Sequence, residues 1–441
     1  MRIIRDILSK FCLWSGHRVS VAKTQICFSK NITADLRDYI AQEFGFTVVS
    51  DLGKYLGVPL LHSRVTKATY AYLLDMVQKR LLGWAAKALS LVGRVTLAKA
   101  VLQAIPVYTM QSTWLPKGLC NDIERLIRRF VWGGSHSTSA VPLLNWEIMK
   151  QPMDRGGLGF RDMGKQNSAF LMKLGFQLIC DEGSLWVKIL KAKYRWIGVM
   201  PLHLRRMRCS RVWKGLSSIW NEVRRGICWN VRDGLLTDFW QDTWLDGEGP
   251  LAAACLQPLD MRPTSVAGMV TATGEWDWPV LAHLLPERVL LKIAAVPPPN
   301  VSLGDDNPAW RWEMSRRFST KSAYQALLPN QGEADRSIWK LIWVLNVPKR
   351  VQTFLWLMAH ERLLTNMERV RRHIATSPIC SLCGVAEEDI DHVLRKCTRV
   401  EEVWMNLVNV QDRNMFRVAP FREWMLGNLT SNAVGMHRNK P

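Results

Sequence analysis

Apolar side chains recur three and four positions apart along most of this chain, the spacing of one-sided helices. Ile3, Ile4, Ile7, Leu8 and Phe11 set that rhythm from the first turn. A short strand around Thr24–Phe28 and a helix near Ala34–Phe44 follow, then a Gly/Pro-punctuated turn region, Asp51–Leu60. From about Thr66 to Leu89 the positions Tyr70, Leu73, Leu74, Val77, Leu81 and Trp84 predict a strongly amphipathic helix. Ser90 is placed to cap the next helix, which runs through Leu102 and is ended by Pro106. Pro116–Trp132 reads as a helix with Ile123, Leu126, Ile127 and Phe130 on one stripe and Arg125, Arg128 and Arg129 on the other. The segment Arg155–Gly159 breaks the pattern, and helices are expected near Lys165–Cys180 and Ser184–Arg195.

Beyond Cys209 the texture changes to short Trp-rich pieces with Gly and Asp turns. The run WNVRDGLLTDFWQDTWL (Trp229–Leu245) reads as a small hairpin-containing module, and Gly247 to about Asn307 as weakly patterned connector. A helical segment then spans about Phe318 to Val410, and the tail after Leu426 carries no core pattern. The expected fold class is mainly α with small β elements. The expected division is 1–51, 52–200 (helical), 201–317 (Trp-rich linker module), 318–410 (a small helical metal-binding domain) and 411–441 (tail).

Composition sharpens this. Apolar residues at 48% and charged residues at 22% are ordinary globular values and exclude a largely disordered chain. The formal charge of +21 is unevenly placed: residues 1–225 hold 35 basic and 14 acidic side chains, residues 226–441 hold 24 of each. Such asymmetry points to a polyanionic partner for the first half and away from an acidic-substrate enzyme. Tryptophan supplies 21 residues where all aromatics make 9%. Most are expected as core anchors; the alternative, base-stacking platforms, needs exposed rings among cations.

The ten cysteines are mostly scattered, which fits a reducing compartment rather than a disulfide scaffold. Three fall close together, in Cys380-x2-Cys383-x8-His392-x4-Cys397. Two thiolates two residues apart form a knuckle aimed at one ion, and a later His and Cys complete the tetrahedron zinc prefers. Four protein ligands leave no position for water, so one structural Zn²⁺ per chain is expected. The start of the chain shows no signal peptide, and no stretch approaches a membrane span. A nuclear or cytoplasmic protein with no membrane contact is the expectation, and the abrupt start in mid-helix reads as a truncated chain.

The densest cationic stretch carries Lys188, Lys191, Lys193, Arg205, Arg206, Arg208 and Arg211, with Trp186, Tyr194, Trp196, Trp213 and Trp220 interleaved. A second set, Lys79, Arg80, Lys87, Arg94 and Lys99, lies on the helices of 66–102. These twelve are the candidate nucleic-acid contacts, since cations neutralise phosphates and aromatics stack on bases. A solvated helix face over core tryptophans is the competing reading. Polymerase chemistry needs converging carboxylates. The only adjacent aspartates, Asp305 and Asp306, are followed by Asn307 and Pro308 where a hairpin strand should run, so no catalytic residue is assigned. Asp233, Asp238, Asp242 and Asp246 are spaced like a metal cluster but are expected in turn and capping roles.

The runs Phe11–Ser29, Leu52–Leu60 and Leu82–Tyr108, with FVWGG (Phe130–Gly134) and RGGLGFRDM (Arg155–Met163), resemble plant LINE-type, non-LTR retrotransposon reverse transcriptases. Trp229–Leu245, FSTKSAY (Phe318–Tyr324) and the Cys/His cluster resemble that family's reverse-transcriptase zinc-binding domain, found in proteins labelled as ribonuclease H-like. The resemblance implies a palm remnant over 1–51, a thumb and connector gripping a template–primer duplex or RNA–DNA hybrid over 52–200, and a zinc module beyond. It also implies that the catalytic Asp-Asp turn and the ribonuclease H domain lie outside this sequence. The expectation is therefore a fragment that binds RNA or DNA without a polymerase or ribonuclease H centre of its own. The alternatives are a piece of an active RNA-directed DNA polymerase, or a scaffold that meets protein partners through Trp-rich surfaces. Where the family has Gly before the FS-x-KSAY segment, Arg316 and Arg317 stand here.

Overall fold

The computed structural model describes residues 2–29, 31–55, 57–60, 65–84, 88–133, 141–206, 209–257, 264–329 and 336–430. They fall into two compact units that divide between Tyr72 and Leu73. The first unit holds the helices Arg2–Ser15 and Ala34–Phe44, the second of which ends on Gly45 in the left-handed conformation. Its strands are short: Gln25–Ile26 runs parallel to Thr47–Val48, and Lys54–Tyr55 pairs antiparallel with Val58–Pro59. The strand expected over Thr24–Phe28 is thus only two residues long.

In the second unit the helical rhythm of the sequence becomes burial. Leu73 and Val77 of the helix Ala71–Leu82 are buried. Ser90 Oγ accepts from Gly93 N at 3.2 Å and caps Leu91–Leu97, which runs on as a π-turn, Ala98–Leu102. Lys117–Val131 buries Ile123, Ile127 and Phe130 and turns Arg125, Arg128 and Arg129 outward, as its two stripes require. The 18-residue helix Met163–Cys180 is central, packing against Arg211–Ser218, Trp220–Gly226 and Thr320–Ala326. One buried cluster runs from Ala169 to Ala323 and takes in Trp213, Trp220, Trp229, Phe239, Trp244 and Trp310. Eleven of the 21 tryptophans are buried, and Trp14, Trp278 and Trp312 are exposed. Removing a fully buried ring such as Trp310 costs about 3–5 kcal/mol.

The Trp-rich module differs from its sequence reading. Trp229–Leu245 contains no local hairpin. Ile227–Asn230 instead pairs antiparallel with Asn307–Trp310, so a strand does begin at Asn307 and Pro308, contrary to expectation. Asp306 explains the long-range closure. Its buried carboxylate accepts from the backbone N–H of Arg232, Gly234, Leu236 and Thr237 and from Thr237 Oγ1, at 2.6–3.2 Å. Gly226 is required beside this pair, because a Cβ there would lie 2.2 Å from the Trp310 ring. Within the expected connector, Trp278–Leu284 and Glu287–Ala294 are helices. The tail is ordered as the helix Phe421–Leu429, which buries Trp424 and Met425; 431–441 lie outside the described residues.

Candidate functional site

Residues 378–388 fold into a miniature loop. Cys380 N donates to Ala386 O and Glu388 N to Pro378 O, at 2.9 and 2.8 Å, and Gly384, left-handed at φ +71°, donates to Cys380 O. The π-turn His392–Lys396 follows, and Cys397 stands at the N-terminus of Thr398–Met405, its carbonyl taking the helix's first hydrogen bonds. These three pieces bring the ligand atoms of Cys380, Cys383, His392 and Cys397 within 4.8 Å of one another. Cys380 Sγ and Cys397 Sγ are 4.0 Å apart, and Cys383 Sγ is 3.4 Å from His392 Nε2. Zn–S bonds of about 2.3 Å in a tetrahedron separate two sulfurs by about 3.8 Å, so the donor set fits zinc. The amides of Ala386 and Val385 pull the Cys383 thiol down to about 6, toward the thiolate that a metal requires.

Arg395, which sequence reading missed, fixes this quartet to the rest of the fold. It is buried, forms a two-pronged ion pair with Asp391, and donates to Phe416 O and Ala419 O at 2.8 and 2.6 Å. Its guanidinium also lies 5.4 Å over the Trp424 ring. The i,i+4 spacing from Asp391 was its only sequence signal.

The metal-bearing segment is docked through the motifs that looked like pattern breaks. Gly156 O, in RGGLG, accepts from Trp356 Nε1 at 2.8 Å and hydrogen-bonds His360 Nε2 at 2.7 Å. Gly156 is left-handed at φ +83°, and a Cβ there would stand 2.8 Å from the Trp339 ring. Two residues past Phe160, Asp162 N donates to Tyr324 Oη of FSTKSAY at 3.0 Å. Asp162 also caps the central helix and pairs with buried Lys150 at 2.8 Å.

The twelve candidate nucleic-acid contacts separate into groups. Lys87 and Arg208 lie outside the described residues. Lys79, Arg80, Lys188, Lys193, Arg205 and Arg206 are exposed, and Lys79 and Arg80 line an open cleft of about 590 Å³ with Met76 and Val101. Arg94 is turned inward: it donates to Val131 O and Leu89 O at 2.8 and 3.0 Å, and burial lowers its pKa. Lys99 Nζ donates to Leu158 O at 2.7 Å, and burial lowers its pKa as well. Arg211 donates to Trp114 O and covers the Trp114 ring, and Lys191 lies 5.7 Å over Trp196. The aromatics of the dense stretch face inward: Tyr194 stacks on Trp213 at 3.9 Å and Trp196 meets Trp220 edge-on at 5.4 Å. That surface offers cations for phosphates rather than rings for bases. The four spaced aspartates act locally: Asp233 and Asp238 cap turns, Asp242 accepts from Asp238 N, and Asp246 pairs with Arg316. Burial raises the Asp242 carboxyl to about 6.

Among the described residues no helix is long and apolar enough to cross a membrane. A family described as zinc-binding in reverse transcriptase matches residues 318–404, a span that includes all four Cys/His residues. A protein of Arabidopsis thaliana that bears the name "putative ribonuclease H protein" is 32% identical over 388 residues, 84% of this chain. The chain spans 61% of the length of that relative. An uncharacterized mitochondrial protein of the same plant is 31% identical over 155 residues, 34% of this chain and 97% of that protein. By its match to the zinc-binding family and by these relatives, the chain belongs to the retrotransposon reverse-transcriptase-like proteins that carry a zinc-binding domain.

Proposed function

We propose that the chain binds a nucleic-acid duplex, of the RNA–DNA hybrid or template–primer type, through the basic first half. In this reading Cys380, Cys383, His392 and Cys397 hold one structural Zn²⁺, which supplies a cross-link and no chemistry. The carrying observation is the placement of charge. The excess of +21 lies wholly in 1–225, and Lys79, Arg80, Lys188, Lys193, Arg205 and Arg206 reach solvent there. Along 188–225 the aromatics face inward, so that stretch is suited to backbone phosphates, which a duplex presents irrespective of sequence. The reading assigns no catalytic residue, and the engagement of Asp306 with its own module supports that assignment.

Cutting the chain at 225 would divide the buried cluster of 169–323, so the test keeps it whole. Binding of a fluorescent RNA–DNA hybrid is measured by anisotropy across a salt series for the zinc-loaded wild type and for K79A/R80A/K188A/K193A. The affinity is expected to fall steeply with salt, and the variant to lose about 0.7–0.9 in log–log slope for each phosphate contact removed. Salt-independent binding, or an unchanged slope in the variant, refutes the reading.

A further inference from the structure

The turn that follows the strand Asn307–Trp310 carries Arg311, Trp312, Glu313, Met314 and Arg316, and it faces a cleft of about 540 Å³ that Asp246 and Cys228 also line. We propose that this cleft receives an unpaired nucleobase, stacked against Trp312 and hydrogen-bonded along its edge by Arg316. Among the described residues, Trp312 is the tryptophan that combines exposure with a cation over its ring. It is 46% exposed, with the Arg311 guanidinium 4.8 Å from its centroid. Met314 beside it is fully exposed and adds a soft apolar wall. A ring held this way is a stacking platform, which the densest cationic stretch, with Tyr194, Trp213 and Trp220 buried, does not offer.

Arg316 is the second observation. It adopts the left-handed region at φ +57°, which disfavours any residue with a Cβ. The strained backbone is held on both sides, since Arg316 N donates to Glu313 O and Arg316 O accepts from Trp310 N at 2.9 Å. Its guanidinium is aimed by Asp246 and by Cys228 Sγ, at 2.5 and 3.0 Å, so two of its five donors are engaged with described partners. Strain maintained at a cleft by this many partners is the mark of a positioned side chain. The volume is within the range of about 300–1,000 Å³ usual for small-ligand pockets.

Charge decides the class of ligand. Asp246 and Glu313 line the cleft against Arg311 and Arg316, so it carries no net excess to capture phosphate. Its attraction is to a flat ring with polar edges. A base can come from a free nucleotide or from a single strand; the second source rests on the nucleic-acid reading above.

The experiment uses the full zinc-loaded chain, a single-stranded 12-mer bearing 5-iodouracil, and GMP as the free nucleotide, with the variants W312A, W312F and R316G. Circular dichroism checks each fold, and R316G relieves backbone strain, so it is expected to fold. Single-strand affinity is expected to fall about tenfold or more in W312A, to be largely restored in W312F and to fall in R316G, with the salt slope unchanged. Photo-crosslinks are expected on the peptide containing Trp312. If W312A and R316G bind the strand as wild type does and crosslinks map only to 1–225, the inference is overturned and the duplex reading stands. If GMP binds and W312A abolishes it while no oligonucleotide binds, the base site holds and the nucleic-acid reading falls. If neither probe binds, both fall.

Discussion

Asp306 offers the sharpest test of how the adjacent aspartates are used. Its carboxylate takes five hydrogen bonds, four from backbone amides, while Asp305 next to it is exposed. Charge-assisted bonds contribute about 1.5–3 kcal/mol each, but they share one group and do not add. Leaving the Gly234 and Thr237 amides buried without an acceptor costs about 1–3 kcal/mol apiece. Asp306→Ala is therefore expected to destabilise the Trp-rich module by about 4 kcal/mol, or about 8–16 °C in midpoint for a unit of that size. Asp306→Asn should be nearly as harmful, because one NH₂ would face amide donors. Asp305→Ala should shift the midpoint by under about 2 °C. Burial pushes the Asp306 carboxyl up, but the amides of Arg232, Gly234 and Thr237 outweigh it and hold the group below its ordinary value of 3.8. A depressed carboxyl stabilises above its unfolded pKa and loses that contribution as pH falls through its folded one. The gap between wild type and Asp306→Asn should thus persist to about pH 4 and close only in stronger acid. Thermal melts followed by circular dichroism, with hydrogen exchange at 232–237, read all three variants. Equal, small shifts for Asp305→Ala and Asp306→Ala would refute the staple.

Elemental analysis should find about one zinc per chain, lost in the Cys380→Ser/Cys383→Ser double variant; metal retained there removes the site. Gly156→Ala combines left-handed strain of about 1–2 kcal/mol with overpacking of about 1–3 kcal/mol against Trp339. It should lower the urea midpoint accordingly, and a wild-type midpoint would show that the docking is looser than described. Arg395→Met removes a buried ion-pair partner at a cost of about 3–5 kcal/mol and should expose Phe421–Leu429 to proteolysis; undiminished protection would contradict its latch role.

Much of this was legible where one element decides its own fate. Lys117–Val131 follows from its stripes, the Leu91–Leu97 helix from Ser90, and the closeness of the Cys/His quartet from knuckle spacing. The pairing of Ile227–Asn230 with Asn307–Trp310 was not, because four-residue strands separated by a long connector carry no periodic signal. What joins them is one carboxylate, whose partners only the fold reveals. Charge counting likewise could not tell that Arg94 and Lys99 end on carbonyls while Lys79 and Arg80 reach solvent. A cation's destination depends on tertiary packing.

The cluster running from Ala169 to Ala323 also imposes an order of events during synthesis. The helix Met163–Cys180 emerges from the ribosome long before Trp310 and Tyr324, the partners that close over it. At about 5–20 residues per second, that interval is on the order of ten seconds or more. Throughout it, the apolar face of that helix stays without the partners that close it. That waiting time is a window for aggregation, and slower synthesis between 180 and 310 would lengthen it.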